Sequence, residues 1–210
     1  MNHRKPNHKT GFSLVELLVV LAIIAILAGL LIPGVARAMQ IANQMRDVNN
    51  VKNIALILIA DSMENGGNFR TGKTREDFEL DSTTQEVFQG LIDDGLIDDP
   101  SVFAGKGSTR ATSFTLSTEN IGFQYIAGHT DISPSKLPML VTKGTGVTHS
   151  SLTAQSLPAT ASPWGKKGLV VAYVAGNANW IRGSSSEEGP MSLNEPLGMA
   201  KNIPEVKVYE

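Results

Sequence analysis

Gly11-Phe12-Ser13-Leu14-Val15-Glu16-Leu17 opens an apolar run that continues to Ile32 without another charged or polar side chain. One carboxylate, Glu16, stands at the head of this run. It follows a small-residue junction and a leader that carries Arg4, Lys5 and Lys9 and no acid. An unpaired carboxylate in hydrocarbon costs several kcal/mol, so Glu16 needs a partner or a purpose. From Phe12 to Ile32 there are 21 residues, roughly 31 Å of helix against a hydrocarbon core of about 30 Å. Leu, Ile, Val and Ala on every face exclude an amphipathic surface helix.

The remainder of the composition sharpens this reading. Of 210 residues none is cysteine, so there are no disulfides and no thiol chemistry. The net charge is -2, but the basic leader hides an acidic remainder of 15 basic and 20 acidic residues. No basic patch points to nucleic acid. A basic stub before an apolar helix holds that end in the cytoplasm. The chain therefore reads as single-pass in the cytoplasmic membrane, N-terminus inside and C-terminal part outside. Two alternatives share these residues. One is a membrane-anchored binding protein that never polymerises. The other is a secreted soluble protein cut after Ala38, for which Ala36-Arg37-Ala38 supplies the small-x-small site. The latter leaves Glu16 unexplained.

Pro33 has no amide hydrogen to give the Gly29 carbonyl, and Gly29 and Gly34 flank it, so the helix is expected to weaken here. Beyond it the pattern turns amphipathic. Ile41, Met45, Val48, Val51, Ala55 and Leu58 recur at spacings of three and four, with Arg37, Gln44, Arg46, Asp47, Asn50 and Lys52 on the wet side. Asn65-Gly66-Gly67-Asn68 stops the helix near Glu64. The expected organisation is a cleaved leader at 1–11, a membrane or filament-core helix at 12–33, its amphipathic continuation at 34–65, and a head at 66–210. Within the head, Thr83–Asp93 is a short amphipathic helix closed by Gly95. Ser113–Leu116, Gly122–Ala127, Met139–Thr142 and Leu169–Val174 have strand composition. Ala175-Gly176-Asn177 turns the last of these into Ala178–Ile181 as a hairpin. Residues 142–163 read as an exposed loop and 184–210 as an irregular tail. The fold class is α+β: a long N-terminal helix on a small antiparallel-sheet head.

Residues that carry chemistry are sparse. His129 and His149 alone lie outside the leader, and both read as solvated loop histidines; no Gly-x-Ser-x-Gly elbow accompanies them. Gly105-Lys106-Gly107-Ser108 fails as a phosphate loop, because Pro100 stands where glycine is required and Gly107 follows the lysine. Asp93, Asp94, Asp98 and Asp99 are the one candidate cation cluster. Asp before Gly95 and before Pro100 is also ordinary turn chemistry, and turns on a solvated face are the reading adopted. No catalytic residue and no cofactor are expected.

The junction Gly11-Phe12, the acid Glu16, the apolar run and Pro33 together resemble the N-terminal signal of type IV pilins and type II secretion pseudopilins. The resemblance covers residues 5–60 well, 80–100 and 165–182 loosely, and nothing else. It implies that a membrane prepilin peptidase and methyltransferase cuts after Gly11 and methylates the Phe12 amine. It implies that the helix joins other pilin-like subunits in a homo- or hetero-filament through an inner-membrane assembly platform. The result would be an envelope-spanning filament with heads outward and no enzymatic activity. Phe12 and Glu16 are four apart, which on a helix puts them on one face. A neighbour's freed Phe12 amine would then pair with Glu16 and set the register. For the head, the resemblance to major secretion pseudopilins implies bound calcium. The hairpin also resembles one whose turn reads Asp-Gly-His in a group of prepilin-type proteins. Here the turn is Ala175-Gly176-Asn177, so no role of that Asp or His carries over.

Overall fold

The computed structural model describes residues 12–75, 82–145 and 162–183, and the backbone of three two-residue strands at 156–157, 191–192 and 207–208. Two compact units divide at residue 42, one of residues 1–42 and one of 43–210.

In the first unit, helix α1 begins; it runs Leu14–Glu64 with Pro33 inside it. The helix runs on through Pro33, and a Cβ placed on Gly29 or Gly34 meets nothing within 4 Å. The large apolar side chains from Phe12 to Val35 are exposed all round. Among the described residues this is the one helix long and apolar enough to cross a membrane. The apolar composition therefore forms a helix whose large side chains stay exposed.

In the second unit, α1 acquires a buried face. Val51, Ile54, Ala55 and Leu58 are fully buried and Val48 packs against them, a three-and-four spacing that keeps one stripe inward. Two expectations fail here. Ile41 and Met45 are exposed, so the packed face starts later than the pattern suggests. Asp47, expected on the wet side, is completely buried because the fold supplies donors for it. The helix ends at Glu64 as expected, with Gly66 and Gly67 at φ of 63° and 88°. Gly67 is doubly constrained: a Cβ there would come within 2.8 Å of all three carboxyl atoms of Asp131.

Helix α2, Thr84–Asp93, opens with a capping box in which Thr83 and Glu86 satisfy each other's backbone amides. It buries Val87, Phe88 and Leu91, with Phe88 stacked 4.4 Å from Phe103. The principal sheet is antiparallel, ordered β5-β4-β2-β1, with β1 Phe123–Ala127, β2 Pro138–Thr142, β4 Gly168–Tyr173 and β5 Ala178–Arg182. Phe123, Tyr125 and Ala127 of β1 and Val170 and Ala172 of β4 join α1 and α2 in one core cluster. This is the period-two face of the strands. Their alternates Ile126, Leu169 and Val171 are also buried, so these strands are covered on both faces. The β4–β5 hairpin turns at Gly176, φ 79°, closed by the Gly176 amide on the Tyr173 carbonyl at 2.8 Å.

The expected strand at Ser113–Leu116 is a series of bends. Glutamines of α2 take the hydrogen bonds that a neighbouring strand would offer. Leu116 N–H donates to Gln89 Oε1 at 2.8 Å, and Gln85 and Gln89 donate to the carbonyls of Leu116 and Phe114 at 2.9 Å each. The segments read as loop and tail hold short strands as well. β3 Ser156–Leu157 pairs with β6 Met191–Ser192, and β7 Lys207–Val208 pairs with the edge of β1 through Ile126 and Ala127. An edge strand presents unpaired N–H and C=O groups whatever the sequence that meets them, which is why composition missed β7. Thr142 and Thr145, at the start of the expected exposed loop, are buried; residues 146–155 and 158–161 and the rest of the tail lie outside the described residues.

Candidate functional site

Gly11 lies outside the described residues. Phe12 precedes the helix and is 80% exposed. Ser13 stands at the N-cap: its hydroxyl accepts the Val15 amide at 3.3 Å, and its own N–H donates to Glu16 Oε2 at 2.9 Å. Ser13 thus caps the helix through Val15 while Glu16 reaches back to the Ser13 amide, one half of a capping box, with the acid also in the first turn where the helix dipole favours it. Two points of the sequence reading change. Phe12 is not helical, so the same-face argument for Phe12 and Glu16 does not hold within one chain. And Glu16 already has a partner in its own backbone, a role that the Ser-x-x-Glu pattern signalled and that the reading overlooked.

The four aspartates of the candidate cation cluster do not converge. Asp93 takes the Lys73 ammonium at 2.8 Å and the Gln89 amide at 2.7 Å, and these hold its carboxyl below the usual range. Asp94 accepts from the Arg70 guanidinium. Asp99 caps the short 3₁₀ turn Pro100–Phe103 by accepting the Ser101 hydroxyl and amide, at 2.8 and 2.9 Å, which lower its pKa. Asp98 is exposed. Among the described residues no three His, Asp or Glu side chains are placed to hold a metal ion. Calcium needs six to eight oxygens in one shell, so this donor set does not fit it.

His149 lies outside the described residues. His129, expected in solvent, is buried. Its Nε2 is 2.9 Å from the Pro138 carbonyl and its ring meets Phe69 edge-on, because the Phe69 amide pairs with the His129 carbonyl and draws both side chains inward. A carbonyl only accepts, so Nε2 carries the proton. Nδ1 has no partner among the described residues. Lys106, in the failed phosphate loop, turns its amide inward to Asp47 Oδ2 at 3.0 Å, where Trp164 Nε1 also donates at 3.2 Å. The Lys106 ammonium sits 4.3 Å from the Trp164 ring centroid. Burial pushes the Asp47 pKa up, against these donors and Arg46. The segment is thus an internal clasp on α1.

Residues 6–32 match the model of the prokaryotic N-terminal methylation motif, the signature of type IV pilins and pseudopilins. No curated protein and no solved structure matches the chain. The long apolar helix that begins within the motif, together with a small antiparallel sheet in the head, makes an α+β pilin-like arrangement. At its N-terminus this chain carries the methylation signature of the type IV pilins and pseudopilins.

Proposed function

We propose that the chain is a structural subunit of a type II secretion pseudopilus or a related type IV pilus-like filament. The observation that carries this reading is the methylation motif over residues 6–32 on a helix whose apolar side chains are exposed all round. Such a surface requires a lipid bilayer or other helices to cover it. Prepilin peptidase cuts between Gly11 and Phe12 and methylates the new amine. Before assembly, residues 12–33 cross the cytoplasmic membrane with the leader inside and the head outside. An inner-membrane platform then passes subunits into the filament, where close helix packing replaces lipid contact. The chain is a substrate of processing and performs no catalysis itself.

Glu16 is the register device in this reading. A neighbour's Phe12 amine offers it a full charge in place of the Ser13 amide, which turns two costly charges into one pair. Mass spectrometry of the mature N-terminus tests the class. The expected product begins at an N-methylated Phe12. A product beginning at Met39, or an intact leader on the membrane-bound protein, would overturn the proposal.

A further inference from the structure

Arg70 is among the largest fully buried side chains of the described head residues. Every nitrogen of its guanidinium is engaged. Nε and Nη2 donate to the two oxygens of Asp61 at 3.1 Å each, Nη2 also to Asp94, and Nη1 to the Lys73 carbonyl at 2.6 Å. Asp61 belongs to the last turns of α1, Asp94 caps the end of α2, and Lys73 lies on the segment between them. The Arg70 carbonyl in turn accepts the Tyr125 hydroxyl of β1 at 2.8 Å. One planar cation therefore joins two helices, the connecting segment and, through its backbone, the sheet.

These are the partners a bound divalent cation would gather: carboxylates from separate segments plus a backbone carbonyl. The guanidinium meets them with a fixed fork and a charge that does not titrate in the working range. Space has been kept for it as well. Gly90 of α2 passes so close that a Cβ there would collide with the Lys73 carbonyl and with Arg70 Nη1. Among the described residues the ion pairs nearly balance: Asp61, Glu64, Asp93 and Asp94 face Arg70, Arg75 and Lys73.

We infer that Arg70 is the built-in cation of this head, gathering the ends of two helices and the segment between them as a metal would, so that the head holds its shape without calcium. The inference concerns the head alone and stands or falls separately from filament assembly.

The test uses the full chain in detergent. Trp164 and Trp180 both lie in the head, so tryptophan fluorescence follows its melting. For the wild type, millimolar calcium and excess chelator give the same Tm; a rise of about 3 °C or more with calcium would overturn the inference. Asp94→Asn keeps the shape of a half-exposed partner and removes its charge. It lowers Tm by about 3 °C or more, whereas Asp98→Asn, at an exposed acid of the same cluster, leaves it unchanged. Equal effects from the two substitutions would show that the Arg70–Asp94 tie carries nothing and would sink the idea. These two variants keep the test decisive even where Arg70→Met fails to fold.

Discussion

His129 is a titration switch in waiting at the scale of one residue. Its burial lowers the pKa to about 4 from 6.5, against the Pro138 carbonyl, which favours the charged ring. Protonation would add an N–H at Nδ1, where no acceptor stands among the described residues. The folded state thus binds fewer protons than the unfolded one between pH 6.5 and 4. Stability from this residue is complete above the unfolded pKa and falls away as pH drops toward the folded one, by on the order of 3 kcal/mol. His129→Gln retains a donor for Pro138 and cannot titrate. Denaturant melts across this window should show a flatter profile for the variant; identical profiles would remove His129 from the pH response. Sequence gave no sign of this burial, nor of that at Asp47. On the helix, Gln44, Arg46 and Asn50 surround Asp47 and read as a wet face. Its partners Lys106 and Trp164 lie 59 and 117 residues away along the chain, beyond any local pattern.

At the scale of elements, α2 was legible and its neighbour was not. Thr83 and Glu86 spell a capping box, Val87, Phe88, Leu91 and Ile92 give the stripe, and Gly95 at φ 69° follows its end. Removing the cap with Thr83→Ala should cost about 1 kcal/mol in a denaturant melt. Gly90→Ala should cost more, about 3 kcal/mol, although alanine favours helix by about 1 kcal/mol. Its Cβ would have to displace backbone at Lys73 and the Arg70 guanidinium together. A neutral or stabilising Gly90→Ala would mean that α2 does not press on that segment. The misread strand at Ser113–Leu116 shows the converse. Alternating Phe114 and Leu116 suit a strand, but strands are made by partners, and here Gln85 and Gln89 occupy the backbone groups first.

For the whole molecule, the question is what Glu16 contributes once subunits meet. Glu16→Ala removes both the capping contact and the charge. Glu16→Gln keeps an acceptor for the Ser13 amide, since glutamine serves at that position, and removes only the charge. With charge pairing as the register device, both variants insert in the membrane and both give at least about tenfold less filament than wild type. That loss corresponds to about 1.4 kcal/mol per subunit added. Normal filament yield from Glu16→Gln would reduce Glu16 to a helix cap. Quantifying sheared filaments beside membrane-inserted protein separates these outcomes.

By itself the sequence determined what depends on nearest neighbours along the chain. That includes the apolar run and its length, the junction and acid of the methylation motif, the stop at Gly66 and Gly67, the α2 boundaries and the Gly176 hairpin. Periodicity, capping and turn chemistry act over a few residues, so they can be read in order. Tertiary structure alone decided the fate of the charged and polar residues. Asp47 went inward to Lys106 and Trp164, His129 to the Pro138 carbonyl, and Asp94 to Arg70. It also decided that Lys207–Val208 extends the sheet at β1. A polar group is buried only where donors or acceptors from distant segments arrive to satisfy it. That condition belongs to the assembled fold, and no window of sequence contains it.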